Sequence, residues 1–123
     1  MTLAAKKAIV LFGHGSRDPQ WRAPMDEVAR RIRAGAAGVD VRCAFLELDS
    51  PDLACVASEL AEAGIDSIRI VPMFLGAGRH AREDLPKLVE ACRQAHPNVR
   101  FDLRPSVGED AQVLALLARI AAG

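Results

Sequence analysis

Two histidines and one glutamate in this chain could hold a divalent cation between them. His14 stands between Gly13 and Gly15 in LFGHGSRDP (Leu11–Pro19), His80 lies in LGAGRHARED (Leu75–Asp84), and Glu47 lies in AFLELDSP (Ala44–Pro51). Neutral imidazoles and a carboxylate form a common ligand set for borderline ions such as Co2+, Fe2+, Ni2+ and Zn2+. The two histidine stretches also carry Arg17, Arg79 and Arg82. Three arginines round one cleft suit an acidic ligand, because a guanidinium grips a carboxylate through two parallel hydrogen bonds.

Whether these groups meet depends on the strands that carry them. Four apolar runs alternate with four helical patterns, the rhythm of a parallel α/β sheet. AIVLF (Ala8–Phe12) and IRIVPMF (Ile68–Phe74) are nearly continuous in apolar residues, as strands covered on both faces are, and belong in the centre. VDVRCAF (Val39–Phe45) and VRFDL (Val99–Leu103) alternate apolar with polar residues, which places them at the edges. Right-handed crossovers then give the strand order 2-1-3-4, a small flavodoxin-like, three-layer α/β/α arrangement. In such a sheet ligands bind beyond the carboxyl ends of the strands, where the order reverses, here between strands 1 and 3. His14 follows strand 1, His80 follows strand 3 in a loop, and Glu47 follows strand 2, so all three reach that edge. His96 precedes strand 4 and falls at the opposite edge, as an exposed residue at a helix end.

Asp18 caps the first helix with Pro19 at its first position, and Trp21, Met25, Val28 and Ile32 form its apolar stripe, with Pro24 a kink or a late start. Ser50 and Pro51 open the second helix, which buries Leu53, Val56, Ala57 and Leu60 and closes at Gly64. The third helix carries Leu85, Leu88, Val89 and Cys92 and stops at His96-Pro97; the fourth carries Val113, Leu116, Leu117 and Ile120. Gly13 and Gly15 allow a tight turn and also the close approach of a flat ligand.

The bulk composition narrows the function. At 123 residues, half of them hydrophobic, the chain reads as a single domain, residues 1–123, with enough apolar side chains for a core. Sixteen basic and sixteen acidic residues balance, so net charge gives no sign of a nucleic-acid or membrane partner. Cys43, Cys55 and Cys92 are odd in number, widely spaced and set among apolar residues, which fits buried, reduced thiols in the cytoplasm. The apolar run within MTLAAKKAIVLFGHG is too short for a signal peptide or a membrane span.

LFGHGSRDPQWRAP, AFLELDSPDL and VPMFLGAGRHAREDLP together resemble the short-form sirohydrochlorin chelatases, which insert cobalt, or in related enzymes iron or nickel, during cobalamin, siroheme and coenzyme biosynthesis. The similarity runs in order from about Val10 to about Glu109. It implies a chelatase-like fold and a sirohydrochlorin substrate. It implies that His14 and His80 bind the incoming metal and that Glu47 is its acidic partner. No cofactor is expected beyond the metal that is itself a substrate. Long forms of the family carry two such domains in tandem, so a single copy implies a homodimer with its cleft between chains. The chain departs from the family in one place, with Arg79 where a glycine often precedes the second histidine.

In this reading His14, His80 and Glu47 are ligands and candidate bases. Gly13, Gly15, Ser16, Arg17, Gly78, Arg79 and Arg82 contact the substrate, the arginines through its eight carboxylate arms. A metal-binding module without catalysis, such as a metallochaperone, would use the same histidines but leaves the arginines unexplained. Phosphoryl transfer through His14 lacks the arginine that should precede it, Gly13 standing there instead, and acyl transfer at Ser16 lacks a GxSxG elbow.

Overall fold

The computed structural model describes residues 6–36 and 38–123. The reading of the amino terminus as free of a signal segment therefore falls partly outside the described residues. Strands β1 (Lys7–Gly13), β2 (Asp40–Phe45), β3 (Ser67–Pro72) and β4 (Arg100–Leu103) alternate with helices α1 (Ala23–Gly35), α2 (Leu53–Glu62), α3 (Arg79–Ala95) and α4 (Ala111–Ala122). The sheet is parallel in the order β2-β1-β3-β4, as the alternation of edge and centre strands requires.

Side chains of β1 point alternately to two cores. Ala8, Val10 and Phe12 join Ile68 and Ile70 of β3 and Phe101 of β4 against α2 and α3, while Leu11 joins Val41 and Phe45 of β2 against Met25 and Ala29 of α1. Val10, Phe12, Ile68 and Ile70 are fully buried, and truncating Phe12 to Ala would cost about 3–5 kcal/mol.

Several elements differ from the sequence expectation. Helix α1 starts at Ala23, with Pro24 in its first turn, where a missing N–H costs nothing. Asp18 instead closes a turn, its carboxylate accepting from Gln20 N at 2.9 Å and its carbonyl from Trp21 N at 3.1 Å. Trp21 thus lies outside the helix and rests on Phe45. The cap of α2 is Asp52, whose carboxylate accepts from Cys55 N at 2.8 Å, rather than Ser50. Leu88 on α3 faces outward and Cys55 is exposed, whereas Cys92 is buried and Cys43 half-buried. His96 caps the end of α3 and is half-buried beside Phe101 rather than free.

The largest departure concerns β3. Its second face, expected to be covered, carries exposed Arg69 and half-buried Val71, because α1 reaches only across β1 and β2. Helix α4, which follows β4, buries none of its residues. No helix among the described residues is long and apolar enough to cross a membrane.

Candidate metal site at the carboxyl edge of the sheet

His14 follows the last residue of β1, and its position is set by backbone bonds that prolong the β1–β2 ladder past the sheet. Leu46 N donates to Gly13 O at 2.9 Å and Glu47 N donates to His14 O at 3.0 Å. Such close passage of two loops requires Gly15, whose φ is +102° and at which a Cβ atom would stand 1.6 Å from the Glu47 carbonyl oxygen. At Gly13 a Cβ would meet Met25 Sδ at 2.6 Å. Both glycines are buried, and the space at their missing side chains is filled by the chain itself. From the opposite side Arg22 ties the two loops to α1, pairing with Asp26 at 3.1 Å and Asp49 at 3.5 Å while lying 4.6 Å over the Phe45 ring. Its hydrogen bond to Asp26 raises its pKa further, so this clamp keeps its charge.

The zipper brings His14 Nε2 to 3.5 Å from Glu47 Oε1, with both side chains about half exposed. The other ring nitrogen, Nδ1, lies 3.4 Å from the Gly15 carbonyl oxygen. With the proton of the neutral ring on Nδ1, aimed at this carbonyl, Nε2 would be the acceptor that a metal can use; with the proton on Nε2 the ring donates to Glu47 instead. In the first tautomer the Nε2 lone pair faces a carboxylate, and two acceptors at this distance call for a cation between them. A proton on Nε2 would serve, and so would a metal ion. Two ligands each about 2.0–2.2 Å from one tetrahedral ion stand roughly 3.3–3.5 Å apart.

His80 is placed differently. It is not in a loop but is the second residue of α3, whose first turn absorbs the Gly-rich segment, and its side chain is 70% exposed. Strand β3 pairs directly with β1, and Met73 N donates to Phe12 O at 2.8 Å, so the segments carrying His14 and His80 leave adjacent strands at one edge. His80 Nε2 lies 3.1 Å from Asp84 Oδ2, one turn further along α3. An exposed pair at that spacing contributes only about 0.3–0.5 kcal/mol, so the ring turns away readily. Asp84 was not singled out in the sequence, although the spacing HxxxD in a helix would have indicated it. Among the described residues no three His, Cys, Asp or Glu side chains stand together as a finished metal cage. The edge instead offers one facing pair, His14 and Glu47, and one imidazole on a neighbouring element.

The remaining residues surround these groups. Ser16 Oγ accepts from Asp18 N at 3.1 Å. Arg79 approaches Glu83 at 4.0 Å, whereas Arg17 and Arg82 have no carboxylate partner among the described residues. Gly78 precedes α3 with open space where a side chain would be. Exposed Trp21, Leu48 and Leu75 lie on the three loops of this edge, and Leu48 adopts a left-handed φ of 63°, rare outside glycine. Nothing in the local sequence pattern announced this apolar rim. Burial pushes the Cys43 and Cys92 thiols above their usual range, so they stay protonated and are poor ligands near neutral pH.

An open parallel α/β domain with imidazole and carboxylate side chains at its switch point belongs to the class of α/β proteins that bind ligands at that edge. Residues 8–122 match the CbiX family, and the chain belongs to it. It is 37% identical over 82 residues to a sirohydrochlorin cobaltochelatase of Methanopyrus kandleri, covering 67% of this chain and 57% of that protein. It is 29% identical over 112 residues to the sirohydrochlorin ferrochelatase of Bacillus subtilis, covering 89% of this chain and 42% of that protein. The chain thus spans about half the length of these relatives. Over nearly its whole length it resembles the crystal structure of a cobalamin (vitamin B12) biosynthesis CbiX protein from Marinobacter aquaeolei, with a TM-score of 0.79, 28% identity, and coverage of 94% and 93% of the two chains.

Proposed function

We propose that this chain is a metal chelatase that inserts a divalent ion into sirohydrochlorin with release of two protons. Co2+ is the favoured ion, with Fe2+ and Ni2+ as alternatives. The observation that carries the proposal is the His14 Nε2 to Glu47 Oε1 approach, an imidazole nitrogen and a carboxylate oxygen 3.5 Å apart at the edge where His80 leaves the adjacent strand.

In this mechanism His14, Glu47 and His80 take the ion from water and leave positions open for the macrocycle nitrogens. As each pyrrole nitrogen replaces a protein ligand, its N–H proton passes to the imidazole or carboxylate just released. Two such exchanges account for the two protons. Trp21, Leu48 and Leu75 offer apolar surface to the ring, and Arg17, Arg79 and Arg82 bind its carboxylate arms, with Gly13, Gly15, Ser16 and Gly78 shaping the two loops that carry them. We place the protein in the cytoplasm, as residues 1–123 of a single chelatase-like domain working as a homodimer.

The absorbance of sirohydrochlorin tests this directly. With catalytic amounts of protein, the spectrum should convert to that of the metallated product faster than with Co2+ alone. Metal binding with no acceleration would support the second reading, a metal-carrying module without catalysis.

A further inference from the structure

A small cavity of about 160 Å3 opens at the carboxyl edge of the sheet, between the first turns of α3 and the chain that leaves β4. Phe74, Ala81 and Leu85, members of the larger core, form its apolar floor, and the exposed Arg82 and Arg104 stand at its rim. Neither guanidinium is committed elsewhere. Arg82 has no carboxylate partner among the described residues, and Arg104 approaches Asp102 only to 3.9 Å, with both side chains about half exposed. The acid on the wall, Glu109, is engaged within the 3-10 turn Val107–Glu109, its carboxylate accepting from Ser106 N at 3.2 Å.

Chemistry and size together define the occupant. Two guanidiniums over an apolar floor suit a carboxylate on a short saturated stem, because paired N–H groups grip the oxygens while the stem lies on Phe74 and Leu85. Pockets for whole small molecules run to roughly 300–1,000 Å3 and one water claims about 30 Å3, so this cavity has room for a group of about five heavy atoms. It fits a side arm of a ligand and not the body of one. Residues two apart in a helix stand about 200° apart round its axis, so His80 and Arg82 leave α3 on nearly opposite flanks, a helix width of about 10 Å apart. A macrocycle centred at His80 reaches that flank only with an arm. The way round the end of α3 passes Gly76 and Gly78, whose missing side chains leave open space.

We propose that this cavity seats one carboxylate arm of the tetrapyrrole, held by Arg82 and Arg104, and that this distal hold sets how the ring lies over His80. The inference rests on the chelatase reading and divides its arginines. Arg17 and Arg79 belong to the loops at the metal, whereas Arg82 belongs with Arg104 to a separate pocket. The walls of that pocket are fixed to one another, since Arg104 N donates to Ile70 O at 2.9 Å and Gly108 N donates to Phe74 O at 3.0 Å. An arm seated there is therefore held in a constant relation to the end of β3 and to the segment that leads to His80.

Binding of metal-free sirohydrochlorin, followed by quenching of the single tryptophan, Trp21, reads this hold without any metallation. The double variant Arg82→Ala/Arg104→Ala should raise the Kd about 10-fold, the loss of one charge-assisted grip, and leave Co2+ affinity and circular dichroism unchanged. Ala77→Leu, which keeps both guanidiniums but fills the cavity, should raise the Kd several-fold, and Arg31→Ala, which removes an exposed charge on α1, should not. Propionate, the stem and acid alone, should shift the amide resonances of Ala81 and Arg104 and compete with sirohydrochlorin. An unchanged Kd in the double variant or in Ala77→Leu would overturn the proposal. Propionate that shifts those amides without displacing sirohydrochlorin would give the cavity to a free short-chain acid, which overturns it as well. A chain that binds sirohydrochlorin through the two arginines yet never metallates it removes the chelatase reading and keeps the cavity, and metallation by a chain whose Kd ignores both arginines does the reverse.

Discussion

His14 and His80 reach the same sheet edge on supports of different stiffness. His14 stands in a loop riveted by two backbone bonds, a glycine that no other residue can replace, and the Arg22 clamp. His80 stands on the exposed first turn of α3, after Gly76 and Gly78, where nothing crowds the backbone. In the proposed chelatase, a site that must seize an ion and then surrender it would gain from this inequality. On that proposal His14 would set the ion's position, and the loosely held His80 would follow the ion in and let go.

Replacing the two groups tests the comparison most severely. His14→Ala and His80→Ala should each lower the metallation rate by about 100-fold or more, at or beyond the upper end of what loss of an outer-shell partner costs, with melting temperature unchanged because both side chains are exposed. A fall of less than threefold for either would remove that residue from the site. The stiffness difference is read from the glycines. Gly15→Ala combines a left-handed φ with a collision against the Glu47 carbonyl and should cost more than about 3 kcal/mol in urea unfolding, while Gly78→Ala should stay within about 0.5 kcal/mol. Equal costs would mean that the two loops are equally rigid.

The carboxylates distinguish the supports more finely. Glu47→Gln should reduce Co2+ affinity about 10- to 100-fold, and Asp84→Asn by less than about 10-fold, because Asp84 touches only the exposed, mobile imidazole. The smallest effect is expected from the triple change of Arg17, Arg79 and Arg82 to Ala. It should raise KM for sirohydrochlorin several-fold with kcat unchanged, as loss of uniform binding does, and an unaltered KM would end the arginine assignment.

The sequence made some of this plain and concealed the rest for physical reasons. Strand order followed from which apolar runs alternate, since burial on one face or two leaves a local record at Asp40, Arg42, Arg100 and Asp102. His14 and His80 were legible through their glycine-rich stretches. The helical setting of His80 was not, because Gly76, Gly78 and Pro86 read as a loop, whereas α3 carries Pro86 inside it at the loss of one backbone hydrogen bond. The zipper that draws Glu47 to His14 depends on a loop passing over Gly15, a contact between segments far apart in the chain that no local pattern encodes. The apolar character of Ile68–Phe74 and of Ala111–Ala122 was also visible, yet a single chain covers neither.

The central claim is that His14, Glu47 and His80 bind one ion together, and titration with Co2+, followed by calorimetry and by the visible absorption of the bound ion, tests it most directly. One Co2+ per chain is expected for the wild type, with affinity reduced at least about 100-fold by either His14→Ala or His80→Ala alone. Wild-type affinity in either variant, or two independent ions each lost with one histidine, would contradict it.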